Sequence, residues 1–362
     1  MSPIIPSHLQ KIIPYEPGKP VEELQRELGL GDVVKLASNE SPLGPPEASL
    51  EALRRALSEI NRYPDDNYFY LKRKISEKFD IPVENITIGA GSAEIIVNSA
   101  RSLLGPDDYA VISEQTFIMY WLAVQSVNGN LIRVPLKNYT YDLEAMAAAI
   151  DERVRIVYIA NPNNPTGTMV TTDELDRFIS ALPPKVVLVY DEAYRHYISR
   201  PDYPDPIKYY RRGDKIIILR TFSKIYGLAG LRVGYAIANG GLSDALARVR
   251  SPFNVSTFAA VASEAALDED DHVKRAVELN DEGMAYLGEE LGKLGLNVIP
   301  SVANFILVDF GHDTSELNGK LMAKGIIVRP MAAFGMPTAL RVSIGLPDEN
   351  RKFVGALKAV LG

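Results

Sequence analysis

The chain has no cysteine. Disulfides, thiolate metal sites and cysteine nucleophiles are thereby excluded, and the absence fits a reducing compartment. Histidine is scarce: His8, His196, His272 and His312 are scattered outside any motif, so each reads as incidental rather than catalytic. No apolar run is long enough to cross a bilayer, and residues 1–11 lack the apolar core of a signal peptide. A cytoplasmic protein that spans no membrane and holds no metal is expected. A net charge of -7 provides no basic excess for nucleic acid or an anionic membrane surface.

What is present is 362 residues of 46% hydrophobic composition, enough to expect two domains. The first forty residues read as loop around one helical pattern at 21–28, and further helical patterns follow at 47–60 and 70–79. Short β-branched runs then appear at 86–88, 109–112, 131–134, 156–159, 186–189, 216–219 and 233–237. Helical stretches at 93–104, 143–150 and 172–181 lie between several of them. This alternation predicts an α/β fold, a mostly parallel central sheet with helices on both faces. After Asn239-Gly240-Gly241 the pattern changes to helical stretches at 242–267, interrupted near Pro252, and at 271–294. Strands at 297–299, 305–309 and 340–344, with a helix at 315–324, complete what reads as a smaller α+β domain.

Four segments carry chemistry. The first, 221–234, puts Lys224 beyond a strand, flanked by Thr221 and Ser223 and followed by glycines and Arg232. A lone lysine in a turn is an ordinary surface group. Here the two hydroxyls and the guanidinium together suit a phosphate, and burial near cations favours the uncharged amine that an imine needs. The second segment, 156–168, ends a strand in the polar loop Asn161-Pro-Asn-Asn-Pro-Thr-Gly167, which alone could be only a turn. In the third, 186–194, Asp191 stands where an apolar strand stops, at the edge that open α/β sheets use for ligands. A carboxylate there calls for a cation such as a protonated pyridine nitrogen. The fourth, 86–96, is a strand, a glycine turn and a helix start, whose N–H groups make an anion site.

Together these segments resemble the fold-type I aminotransferases, which use pyridoxal 5'-phosphate (PLP), and within them the histidinol-phosphate aminotransferase group. The resemblance spans nearly the whole chain and includes Ala37-Ser-Asn-Glu-Ser-Pro-Leu-Gly44, Arg62-Tyr-Pro-Asp65 and Pro252-Phe-Asn-Val-Ser256. It implies an N-terminal arm (1–35) joining the small domain, a large PLP-binding domain (36–245) and a small C-terminal domain (246–362). It also implies that Lys224 holds the cofactor as a Schiff base and shuttles the substrate proton. Asp191 would keep the pyridine nitrogen protonated, with Asn164 and Tyr194 on the ring oxygen. Ser92, Ala93, Thr221, Ser223 and Arg232 would hold the phosphate, and Tyr63 would reach the phosphate of a neighbouring subunit in a homodimer. Phe117 stands where the family usually has tyrosine over the ring, keeping a π face and losing a hydroxyl. Arg341, inside an alternating apolar strand, would meet the substrate, with Arg329 toward its phosphate and Tyr15 and Asn39 in the same pocket. The expected reaction is transamination of L-histidinol phosphate with 2-oxoglutarate. Alternatives are an aromatic amino acid aminotransferase, an amino-acid-phosphate decarboxylase, a nucleotide-binding dehydrogenase around Gly89-Ala-Gly91, and a cofactor-free binding domain.

Overall fold

Apolar runs without alternation need cover on both faces, and that requirement organises the centre of the molecule. The computed structural model describes residues 4–10, 12–14 and 18–362; the expected pocket residue Tyr15 lies outside them. In chain order its strands are β1 (Val34–Leu36), β2 (Ile86–Gly89), β3 (Tyr109–Ser113), β4 (Asn130–Val134), β5 (Val154–Ala160) and β6 (Val187–Asp191). They continue with β7 (Ile216–Thr221), β8 (Gly234–Ala238), β9 (Asn297–Ile299), β10 (Phe305–Asp309), β11 (Ile326–Pro330) and β12 (Ala339–Ser343).

The larger sheet has the order β2-β8-β7-β6-β5-β3-β4. Its pairs are parallel except that β8 runs antiparallel to both β2 and β7. Along β7, Ile216 and Ile218 are buried in one hydrophobic cluster while Ile217 and Leu219 are buried in another. Leu71 and Ile75 of the helix Phe69–Phe79 join the first cluster. The second takes Ile95, Ile96 and Ala100 from the helix Gly91–Leu103, so helices cover both faces.

The smaller sheet has the order β1-β11-β12-β10-β9, with β1 parallel to β11 and the other pairs antiparallel. Leu287 and Leu291 of the helix Asp270–Lys293 and Phe353 and Leu357 of the helix Pro347–Leu361 fill its buried face.

Several elements differ from the sequence reading. Residues 34–36, read as loop, form β1 because β11 lies alongside, with Val34 paired to Ile326. Three residues are too few to show a period. The helix Ile118–Ser126 also escapes the pattern, since Ile118-Met-Tyr-Trp-Leu-Ala-Val124 is apolar all round and has no polar stripe. The helical pattern at 47–60 ends as α-helix at Ala56 and continues as one tight turn, Leu57–Glu59. Among the described residues no helix is long and apolar enough to cross a membrane.

Candidate active site

A cleft of about 310 Å³ opens where β5, β6 and β7 end, lined by Ala160, Asp191 and Thr221 from those strand ends. Its size and its place at the carboxyl edge of a parallel sheet suit a small organic ligand. Among the described residues, all the site residues named from the sequence line it except Arg329 and Tyr63.

Asp191 is the last residue of β6 and is 4% exposed. The Tyr120 phenol donates to its Oδ2 at 3.1 Å and the Ala193 N–H to its Oδ1 at 3.0 Å. Burial pushes the carboxyl up to about 6, and these two hydrogen bonds oppose that rise. The sequence reading did not single out Tyr120, because no local signal links it to a partner 71 residues later.

Lys224 follows β7 and sits half-buried on the cleft wall. Its amine donates to the carbonyls of Ser38 at 3.3 Å and Asn39 at 3.1 Å. Burial first, and then the charge of Arg341, lower the ammonium to about 8. Asn39 holds a left-handed φ of 53° and is pinned from all sides. Its N–H donates to Ser343 Oγ at 2.8 Å and its Nδ2 to the Tyr194 hydroxyl at 3.0 Å. Its Oδ1 accepts from Ser343 Oγ at 3.0 Å and its carbonyl from Asn304 Nδ2 at 3.1 Å. A strained residue fixed so thoroughly beside the amine is the pattern of a functional site. Ser343 and Asn304 were likewise missed from sequence, being far along the chain.

At the other end of the cleft the helix Gly91–Leu103 begins on Gly91 with φ 74°. A Cβ there would lie 2.6 Å from Arg232 Nη2, so glycine is required for the guanidinium to rest on the helix start. Arg232 donates to Ser223 Oγ at 3.3 Å and to the Ala229 carbonyl at 3.1 Å, both neutral acceptors. Helix N–H groups, hydroxyls and an arginine converge there as an anion site.

Arg341, 6% exposed on β12, reaches in from the smaller sheet. Its Nη1 donates to Asn164 Oδ1 and its Nη2 to the Ala37 carbonyl at 2.8 Å. Arg329 on β11 is its register partner and is buried too. Arg329 lines a second chamber of about 600 Å³ with Trp121. Phe117, Ile118 and Phe334 line both spaces, so the chamber abuts the cleft. The Phe117 ring meets Tyr120 edge-on at 5.8 Å. Tyr63 stands apart: it is 82% exposed and stacks on Phe253 at 4.7 Å.

Residues 31–357 match the family model described as aminotransferase class I and II. Histidinol-phosphate aminotransferase 2 of Pseudomonas aeruginosa is 49% identical, covering 98% of this chain and 96% of its own. The histidinol-phosphate aminotransferase of Moorella thermoacetica is 48% identical over 97% of this chain and 91% of its own. The crystal structure of histidinol-phosphate aminotransferase from Sinorhizobium meliloti in complex with pyridoxal-5'-phosphate has a TM-score of 0.90 at 29% identity. That match covers 99% of this chain and 97% of the other. With its lysine, buried carboxyl and anion site at one sheet edge, the chain belongs to the class I and II aminotransferases.

Proposed function

We propose that this protein uses PLP to transfer the amino group of L-histidinol phosphate to 2-oxoglutarate, a step of histidine biosynthesis. The observation that carries the reading is the meeting of Lys224, lowered to about 8, and Asp191, raised to about 6, beyond adjacent parallel strands in one cleft. The residues fit PLP by their own chemistry. Arg232, Thr221, Ser223 and the helix start at Ser92 and Ala93 suit its phosphate, Phe117 its ring face, and Asp191 a protonated ring nitrogen.

Bound there, PLP supplies an electron sink for the pair left at the substrate Cα when its proton departs. Lys224 tethers the cofactor; released by the incoming amine, its Nζ takes the Cα proton and returns it, a role its lowered ammonium suits. Tyr120 and the Ala193 N–H hold the Asp191 carboxylate in one orientation, so that it keeps the ring nitrogen protonated. Arg341 occupies the carbonyl end of Asn164, leaving the amide N–H2 to donate to the ring oxygen. The Tyr194 oxygen accepts from Asn39, which turns its own proton outward as a second donor. Arg341 takes a substrate carboxylate or α-substituent and Arg329 the phosphate of the donor, with Asn39 and Tyr15 lining the pocket.

In this reading residues 36–245 form the cofactor-holding domain, and 1–35 with 246–362 the smaller body that presents Arg329 and Arg341. The enzyme works in the cytoplasm as a homodimer. Tyr63 is too exposed to serve its own cleft, and Leu57 and Ile60 are exposed in the same segment, which supports a second copy covering this patch.

Aromatic amino acids are the second candidate donors, favoured by the Trp121, Phe117 and Phe334 surfaces of the adjoining chamber. The test is kcat/KM for L-histidinol phosphate against phenylalanine and tyrosine, each with 2-oxoglutarate. A clearly higher value for phenylalanine overturns the lead reading.

A further inference from the structure

The segment that carries Tyr63 is held by more than its aromatic contact. Arg250, just past the helix Gly240–Val249, grips Asp66 with both nitrogens, Nη1 to Oδ1 at 2.9 Å and Nη2 to Oδ2 at 2.7 Å. Asp66 Oδ1 also accepts the Phe253 N–H at 2.6 Å. Arg250 Nη1 and the Tyr68 hydroxyl each donate to Asn254 Oδ1 at 2.7 Å. The other end of that amide, Asn254 Nδ2, donates to Glu94 Oε2, and the same carboxylate oxygen accepts the Ala90 N–H at 2.6 Å. Ala90 is the residue before Gly91, where the helix facing the anion site begins. A continuous line of hydrogen bonds therefore runs from the Tyr63 loop through Asp66, Arg250, Asn254 and Glu94 to the phosphate turn.

Two residues on this line, Tyr68 (φ 52°) and Phe253 (φ 54°), occupy the left-handed region. Bulky aromatic residues avoid that region unless their surroundings over-determine it. Both are pinned here, Phe253 through its N–H on Asp66 and Tyr68 through its hydroxyl, which also accepts the Val255 N–H at 3.0 Å. Phe253 stacks on Tyr63, and the two residues are 44% and 82% exposed. An aromatic pair so exposed contributes little to one protomer's own core. Bidentate arginine pairing is directional, so the line transmits position as well as charge.

We propose that Asp66, Arg250, Asn254 and Glu94 are positioning residues that couple the phosphate turn of one active site to the tyrosine this protomer presents to its neighbour. The proposal rests on the PLP-dependent homodimer described above. By linkage, a phosphate that orders the turn strengthens self-association, and self-association strengthens phosphate binding by the same factor.

The test compares the wild-type holoenzyme with Arg250→Met, Arg250→Lys and Asn254→Ala. Each is reconstituted with PLP or with pyridoxal, which lacks the phosphate. Cofactor dissociation is followed by the visible band, dimer dissociation by sedimentation, and folding by thermal unfolding. Arg250→Met and Asn254→Ala are expected to weaken PLP about tenfold while pyridoxal changes less than about twofold. Their dimers should dissociate at higher concentration, with Arg250→Lys between them and the wild type. A purely structural role would weaken PLP and pyridoxal equally, and that result overturns the coupling. So does a dimer of unchanged strength. If Arg250→Met loses cooperative unfolding, Glu94→Gln, which removes one charge at constant size, decides by the same ratio. A wild-type protein that takes up PLP yet stays monomeric overturns the homodimer reading together with the coupling. A wild-type dimer whose PLP affinity ignores Arg250, Asn254 and Glu94 overturns the coupling alone.

Discussion

Asp191 and Arg341 are both charged, both buried and both on strands, yet they are anchored differently. Asp191 ends β6, and its donors, Tyr120 and the Ala193 N–H, belong to the body built on the larger sheet. Arg341 sits in β12 of the smaller sheet, while one of its acceptors, Asn164, lies in the loop after β5 of the larger. A buried charge is tolerated only while its partners persist. Asp191 therefore keeps its place whatever the two sheets do, whereas the position of Arg341 depends on how they meet. Asp191 is thus held within one body, whereas Arg341 is held between two. So is Lys224, whose amine rests on the Ser38 and Asn39 carbonyls and so depends on Ser343 of β12.

The largest effect is expected at the lysine. Lys224→Ala should lower kcat by on the order of 10³-fold or more, and borohydride should no longer fix the cofactor to the chain. Full activity in that variant would remove Lys224 from the mechanism. Next come the two buried charges themselves. Asp191→Asn should lower kcat roughly 10²-fold with little change in KM. Arg341→Gln should instead act mainly on KM, lowering kcat/KM by about 10²-fold. If both variants move the same parameter, the contrast between chemistry and recognition collapses. Tyr120→Phe removes one hydrogen bond to a charged acceptor and should lower kcat by about tenfold, leaving KM for 2-oxoglutarate alone. A KM effect of that size would instead tie Tyr120 to substrate.

The smallest effects appear in the stability of the cofactor-free protein against pH, and they have opposite signs. Asp191 goes from an ordinary 3.8 to about 6, so the folded state holds its proton more tightly than the unfolded chain does. Its contribution is full below 3.8 and is lost as pH rises through 6. Lys224 falls from 10.5 to about 8, so the unfolded chain binds the extra proton, and stability climbs as pH rises from 8 to 10.5. Urea midpoints of wild type minus Asp191→Asn should fall over the first window, and those of wild type minus Lys224→Met should rise over the second. Equal slopes in variant and wild type would show that neither shift is carried by the folded state.

Lys224 and Asp191 were legible because their neighbours in the chain bear the signal: an apolar strand before each, and for Lys224 the hydroxyls, glycines and arginine of residues 221–232. Arg341 stood out for the same reason, a charge in an apolar run. Tyr120, Ser343 and Asn304 were not legible, since each acts on a partner distant in sequence. The strand β11 and the helix Pro347–Leu361 were overlooked for different reasons. Ile326-Ile-Val328 is too short for its period to be told, while the helix start at Pro347-Asp-Glu349 did carry a proline and two acids in its first turn.

By itself, then, the amino-acid order determined the alternation of strands and helices, the lysine with its neighbouring hydroxyls and arginine, and the exclusion of thiol chemistry. These depend on propensity, periodicity and composition, which act over a few residues. Only the tertiary structure decided that Arg341 crosses to Asn164, that Tyr63 stands outside its own cleft, and that Arg250 joins the Tyr63 loop to the phosphate turn. Burial and hydrogen-bond direction are properties of pairs brought together by packing, and no local pattern encodes which distant pair will meet.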